Sequence, residues 1–155
     1  MKTILGGLVL SLISLTHAYA GASQSYPFLT RTMATGFVAP DYRRVETCEI
    51  YKDHVVITKV FGTANPLTSV ETKQTSLSGD FDTLLQAAAG TQTVTEPTGT
   101  ADAGSSGYTA TWKKADTRVL IILKTDDGLT RVTNPSVAAS LLTNVIDGIC
   151  PSAFQ

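Results

Sequence analysis

The chain has 155 residues, 43% of them hydrophobic and 16% charged, with a formal net charge of -1. That is too apolar and too weakly charged for a disordered tail, and there is no basic excess with which to neutralise nucleic-acid phosphates. It is also too short for two ordinary domains.

The N-terminus carries the clearest signal. Lys2 supplies a short positive segment, and Ile4 to Leu15 is an apolar run interrupted only by Gly and Ser. Ala18-Tyr19-Ala20 then forms a small-x-small cleavage site. Together these predict a secretory signal peptide over residues 1–20, with Gly21 as the new N-terminus. The apolar run is about 12 residues, short of the ~20 that span a bilayer. The longest later apolar run is Val119 to Leu123. The expected mature protein is therefore exported, periplasmic or extracellular, with no transmembrane segment. Removing Lys2 takes its formal charge from -1 to -2.

Cys48 and Cys150 are the only cysteines, and both survive cleavage. In an oxidising compartment they should form one intramolecular bond. Its role would be structural, and it would remove both sulfurs from use as nucleophiles or metal ligands.

Gly21 to Pro40 reads as an N-terminal arm with at most one short strand, carrying Tyr26, Phe28, Met33 and Phe37. From Tyr42 the pattern changes. Val45, Thr47, Glu49 and Tyr51 alternate with Arg44, Glu46, Cys48 and Ile50, a period of two that predicts a strand. Lys52-Asp53 marks a turn, and Val55 to Phe61 a second strand. Asn65-Pro66 breaks the run. Ser69 to Leu77 alternates again, a third strand.

Phe81, Leu84, Leu85 and Ala88 fall on one helical face. Asp80 suits its N-cap and Gly90 its stop. Thr91 to Gly107 has no hydrophobic period and reads as a long loop, uncommon inside a compact domain. Tyr108 to Lys113 alternates, with Tyr108, Ala110 and Trp112 on the inner face. Val119 to Leu123 is apolar on both faces, which predicts a central strand covered on both sides or nearly so. Asp126-Asp127-Gly128 is a hairpin turn, after which Leu129 to Thr133 returns. Asn134-Pro135 suits an N-cap followed by a first-turn proline. The last helix carries Val137, Ala138, Leu141, Leu142, Val145 and Ile149.

The expected fold is α+β, in the order β-β-β-α-β-β-β-α. About six strands joined by turns make a mostly antiparallel sheet, with two helices on one face and one disulfide. Residues 41–155 form a single domain. A sheet with a bare apolar face would imply a dimer or a lipid ligand.

The chemistry-bearing residues are few. Only His54 remains after cleavage, beside a turn, and no nucleophile elbow accompanies it. One histidine and two bridged cysteines do not make a zinc site. Asp80 and Asp82 are explained by a helix start, and Asp126-Asp127 by a turn. Glu46 and Glu49 lie on opposite faces of a strand. No catalytic set, metal site or cofactor is indicated.

The leading expectation is a non-catalytic, disulfide-stapled module that binds a protein partner outside the cytoplasm, inhibition of an exported enzyme being one version. Its candidate binding loop holds Glu96, Pro97, Asp102, Ser105, Ser106 and Tyr108. The N-terminal arm is a second candidate surface. Two other readings are an envelope or surface assembly subunit and a small exported hydrolase. The hydrolase would need carboxylates from distant segments to converge in one pocket.

Overall fold

A computed structural model describes residues 26–63, 65–99 and 104–151. The expected signal peptide and Asp102 lie outside these. The strands are β1 (Leu29–Ala34), β2 (Arg44–Ile50), β3 (His54–Phe61), β4 (Leu67–Gln74), β5 (Val94–Pro97), β6 (Ser105–Lys114), β7 (Thr117–Asp126) and β8 (Thr130–Thr133). The helices are α1 (Phe81–Ala89) and α2 (Val137–Ile149), with a single 3-10 turn at Pro40–Tyr42. All eight strands form one sheet in the order β4-β3-β2-β1-β6-β7-β8-β5, and every neighbouring pair is antiparallel.

The α+β class, the antiparallel sheet, the two helices and the disulfide match the sequence reading. The strand count does not: eight strands stand where six were expected. One addition is β1, inside the presumed arm. It lies mid-sheet, bonded to β2 on one side and β6 on the other. Its alternation is masked because the inward positions are Leu29, Arg31 and Met33, so one of three is a charge. The other addition is β5, at the sheet's edge within the expected long loop. All four of its residues are exposed, so no inward apolar period marks it.

One face of the sheet carries the core. Leu29, Cys48, Ile50, Val55, Ile57, Ala110, Ile121 and Leu123 pack beneath Leu85 and Ala88 of α1 and Ala138, Ala139, Leu142 and Ile146 of α2. Phe28 closes the edge of this core against Phe81, ring centroids 5.1 Å apart in a T-shaped contact. Burying these apolar side chains is the main favourable term in folding.

Among the described residues no helix lies on the opposite face. It presents threonines in cross-strand rows, Thr32–Thr47–Thr58 and Thr109–Thr30 among them, with Val56, Val60 and Val70. Among the described residues, the strand expected to be covered on both sides is covered on one. Ile121 and Leu123 face the helices, while Leu120 is 69% exposed on the open side. A local apolar run does not reveal how many layers cover it.

Asp80 caps α1 as expected, accepting from the Thr83 amide at 3.2 Å. Gly90 ends it in an ordinary right-handed conformation, so its glycine freedom is not used there. The start of α2 is a correction. Ser136, not Asn134, is its N-cap, accepting from the Ala139 amide at 3.0 Å. Asn134 is buried instead. Its amide donates to the Ala88 carbonyl at 2.8 Å, and its Oδ1 accepts from the Ser136 amide and hydroxyl. One asparagine thus fastens the end of α1 to the approach to α2.

Candidate binding surfaces

The register of the sheet decides where the loops go. The β1–β2, β3–β4, β5–β6 and β7–β8 connections all emerge at one end. That end displays Phe37 (90% exposed), Tyr42 (73%), Leu67 (74%), Leu129 (57%), Val38 and Phe61. Arg44 lies over the Phe61 ring, 5.4 Å from its centroid, and Arg43 is exposed beside it. A rigid sheet carrying aromatic side chains and arginines on its loops is a common way of presenting a recognition surface.

Four of the candidate loop residues fall at this end, but not in a single loop. Glu96 and Pro97 belong to the outermost strand β5, while Ser105 and Ser106 open β6. Glu96 and Ser106 share one cross-strand row through Arg131 and Asp126. The described ends of the chain between them are both fastened. The Thr98 amide donates to the Leu129 carbonyl at 2.8 Å, and its hydroxyl to the Gly128 carbonyl at 2.7 Å. At the other end Gly104 lies so close to the Ala34 carbonyl that a Cβ there would sit 2.4 Å from the oxygen. Only glycine lets the segment rejoin β6 at that point.

The β7–β8 turn is held as the sequence predicts. Gly128 takes φ 88°. Asp127 Oδ1 accepts from the Leu129 and Thr130 amides at 3.0 and 2.7 Å. Asp126 Oδ1 accepts from the Gly128 amide, and its Oδ2 from Arg131 Nη2 at 2.8 Å. These bonds to its charged form hold the Asp126 carboxyl below the usual carboxylate range, the Gly128 amide foremost.

Tyr108, the last candidate, turns away from the loop end. It lies on the helix-covered face, donating its hydroxyl to Asp147 Oδ1 at 2.9 Å. Burial pushes its phenol pKa up, and the hydrogen bond to Asp147 adds to this. Tyr108 borders a charged cluster that the sequence reading missed. Arg31 is 4% exposed and Glu46 2%. Arg31 Nη2 donates to Glu46 Oε1 at 2.8 Å and to the Pro151 carbonyl, and Asp147 lies 3.8 Å from Nη1. Lys59 Nζ stands 3.5 Å from Glu46 Oε2. That oxygen is buried and makes no hydrogen bond among the described residues. Glu46 shares a strand face with Cys48, so the burial of the disulfide was the available signal.

The Cys48–Cys150 disulfide lies beside this cluster, with Cα atoms 6.0 Å apart and a sequence separation of 102. It joins the middle of β2 to the end of α2. Carboxylates from distant segments, Glu46 and Asp147, do meet here, but both are engaged by Arg31.

The remaining sites are chemically quieter. His54 Nδ1 lies 2.7 Å from Asp53 Oδ1, and its ring stacks on Tyr51 with centroids 4.2 Å apart. That hydrogen bond lowers the Asp53 pKa, while burial and then Glu49 raise that of Tyr51. A groove of about 440 Å³ between α1 and α2 is lined by Phe81, Leu84, Leu141 and Val145. Its carboxylate, Asp80, is occupied as a helix cap. Among the described residues no group of three or more His, Cys, Asp or Glu could hold a metal. No helix there is long and apolar enough to cross a membrane. Comparison with known proteins returns no match: no family model, curated protein or solved structure resembles the chain.

Proposed function

We propose that the chain is an exported, non-catalytic module that binds a protein partner outside the cytoplasm through its loop end. The observation that carries this reading is the gathering of Phe37, Tyr42, Phe61, Leu67 and Leu129 at that one end. Aromatic residues and arginine dominate the energetics of protein interfaces. Exposed apolar side chains collected on one rim are what such a surface requires. The scaffold beneath them is already ordered by an eight-stranded sheet and a disulfide, so little ordering cost falls on binding. Inhibition of an exported enzyme fits the same geometry, the 98–104 segment entering the partner's cleft with both ends tied down.

The test is cross-linking of the mature, oxidised protein in its own extracellular or periplasmic extract, with captured proteins identified by mass spectrometry. One parallel bait carries Phe37→Ala and Tyr42→Ala, and another lacks residues 101–103. A single partner captured by the intact protein, and lost with the double substitution, is the expected result. Loss with the shortened segment as well would bring that segment into the contact. Capture by all three baits alike, or by none, would refute the loop end as the binding surface.

A further inference from the structure

The two edges of the sheet are finished differently. β5 is four residues long and ends on Pro97, whose nitrogen has no proton to donate. Short edges bearing proline are a common way for a sheet to avoid pairing with another chain. β4 has neither protection. It is eight residues long, holds no proline or glycine, and all its residues are exposed. It pairs with β3 in one unbroken register from Leu67 to Gln74, with no bulge to twist it away. Its outer amides and carbonyls therefore form a template for another strand.

Charge on β4 selects the occupant. Glu71 and Lys73 are its charged residues, two positions apart on one face and 3.3 Å from each other. An antiparallel pairing of two β4 strands about a two-fold axis at Thr72 sets Glu71 of each copy opposite Lys73 of the other. Thr72 then faces Thr72. Opposite charges and paired threonines directly across from one another both stabilise a sheet. An axis at Glu71 or at Lys73 would instead oppose like charges. The strand is thus complementary to itself in that register.

We propose that β4 is a dimerisation edge, at which two copies of this chain join antiparallel about Thr72 into one continuous sheet. The open threonine and valine face would run unbroken across both copies, and the loop ends would point in opposite directions. This is independent of the partner proposed for the loop end.

The test is sedimentation of the mature, oxidised protein over a concentration series at low salt, with Glu71→Lys, Lys73→Glu and the double reversal. The expected result is a reversible dimer. By two-fold symmetry each single reversal places two like-charge pairs at the seam, weakening the dimer by about tenfold. The double reversal restores complementarity and should return affinity to within about threefold of the original. Thr72→Cys should give a covalent dimer on oxidation, and serves as the check if a charge variant folds poorly. A monomer at every concentration would overturn the proposal. So would single reversals that dimerise like the original, or a double reversal that stays weak. Phe37→Ala and Tyr42→Ala should leave the dimer intact, which separates this result from the loop-end experiment.

Discussion

Around Arg31 every charged group is tied to another. Glu46, Asp147, Lys59 and the Pro151 carbonyl surround one guanidinium, next to a disulfide. At the loop end the large side chains are the reverse. Phe37 and Tyr42 stand in solvent, and what is fixed there is the backbone beneath them, through Thr98, Gly104, Asp126 and Asp127. The contrast teaches where this chain spends its interactions. Near the clamp, side-chain contacts hold the fold. At the loop end, backbone contacts hold a display of side chains that the fold itself does not need.

Changes at the clamp should therefore cost stability, and changes at the loop end should not. The largest effect is expected from removing the disulfide. Replacing Cys48 and Cys150 by Ala frees a 102-residue separation, for which the chain-entropy model gives about 4–5 kcal/mol. Urea unfolding of the two proteins measures it; a difference under about 2 kcal/mol, the low end of the usual range, would remove the clamp from one side of the contrast.

Glu46→Ala is next. It leaves Arg31 buried with Asp147 at 3.8 Å and a carbonyl. Breaking a buried pair by removing one partner costs about 3 kcal/mol. Phe37→Ala, compared in the same unfolding series, should stay within about 0.5 kcal/mol of the parent. Equal losses from the two substitutions would erase the distinction.

The smallest effect sharpens the loop-end side. Asp126 has a folded pKa held below its unfolded value of ~3.9. Its contribution is therefore present above the unfolded pKa and fades as pH falls through the folded one. Asp126→Asn should lower the melting temperature at pH 7, and the gap to the parent should close as the pH is taken from about 4 downward. A gap that persists unchanged in acid would mean that the Asp126 charge does not hold the turn.

Much of this architecture was legible because burial follows alternation. In β6 and α1 apolar residues recur at the period of the element and mark the face that packs inward, whereas in α2 Val137 and Leu141 of the expected stripe are exposed and the buried side is Ala138, Ala139, Leu142 and Ile146. β1 escaped because Arg31 occupies an inward position whose neutralising partner, Glu46, lies on another strand. β5 escaped because an edge strand of four exposed residues has no inward face to mark it. Asn134 resembled a cap because Asn-Pro before an apolar run is a cap signature, and only the tertiary fold supplies the Ala88 carbonyl that claims its amide. The loop end was half visible. Phe37 and the Glu96–Tyr108 segment stood out by composition, but Tyr42, Phe61, Leu67 and Leu129 join them only through strand order. That order is set by long-range pairing, which no local pattern records.

The position of β1 has one more consequence. Cys48 and Cys150 close a covalent ring, and β1 lies outside it, ahead of Cys48. Yet β1 fills the space between β2 and β6 and supplies the pairing that unites the two halves of the sheet. A single proteolytic cut in residues 35–43 would therefore turn the molecule into a receptor and a peptide. The peptide would be held by backbone bonds to both neighbours, by Leu29 in the core and by Arg31 in the charged cluster. Made separately, these two pieces form a split protein, whose reassembly reports on whether the central strand has been put back.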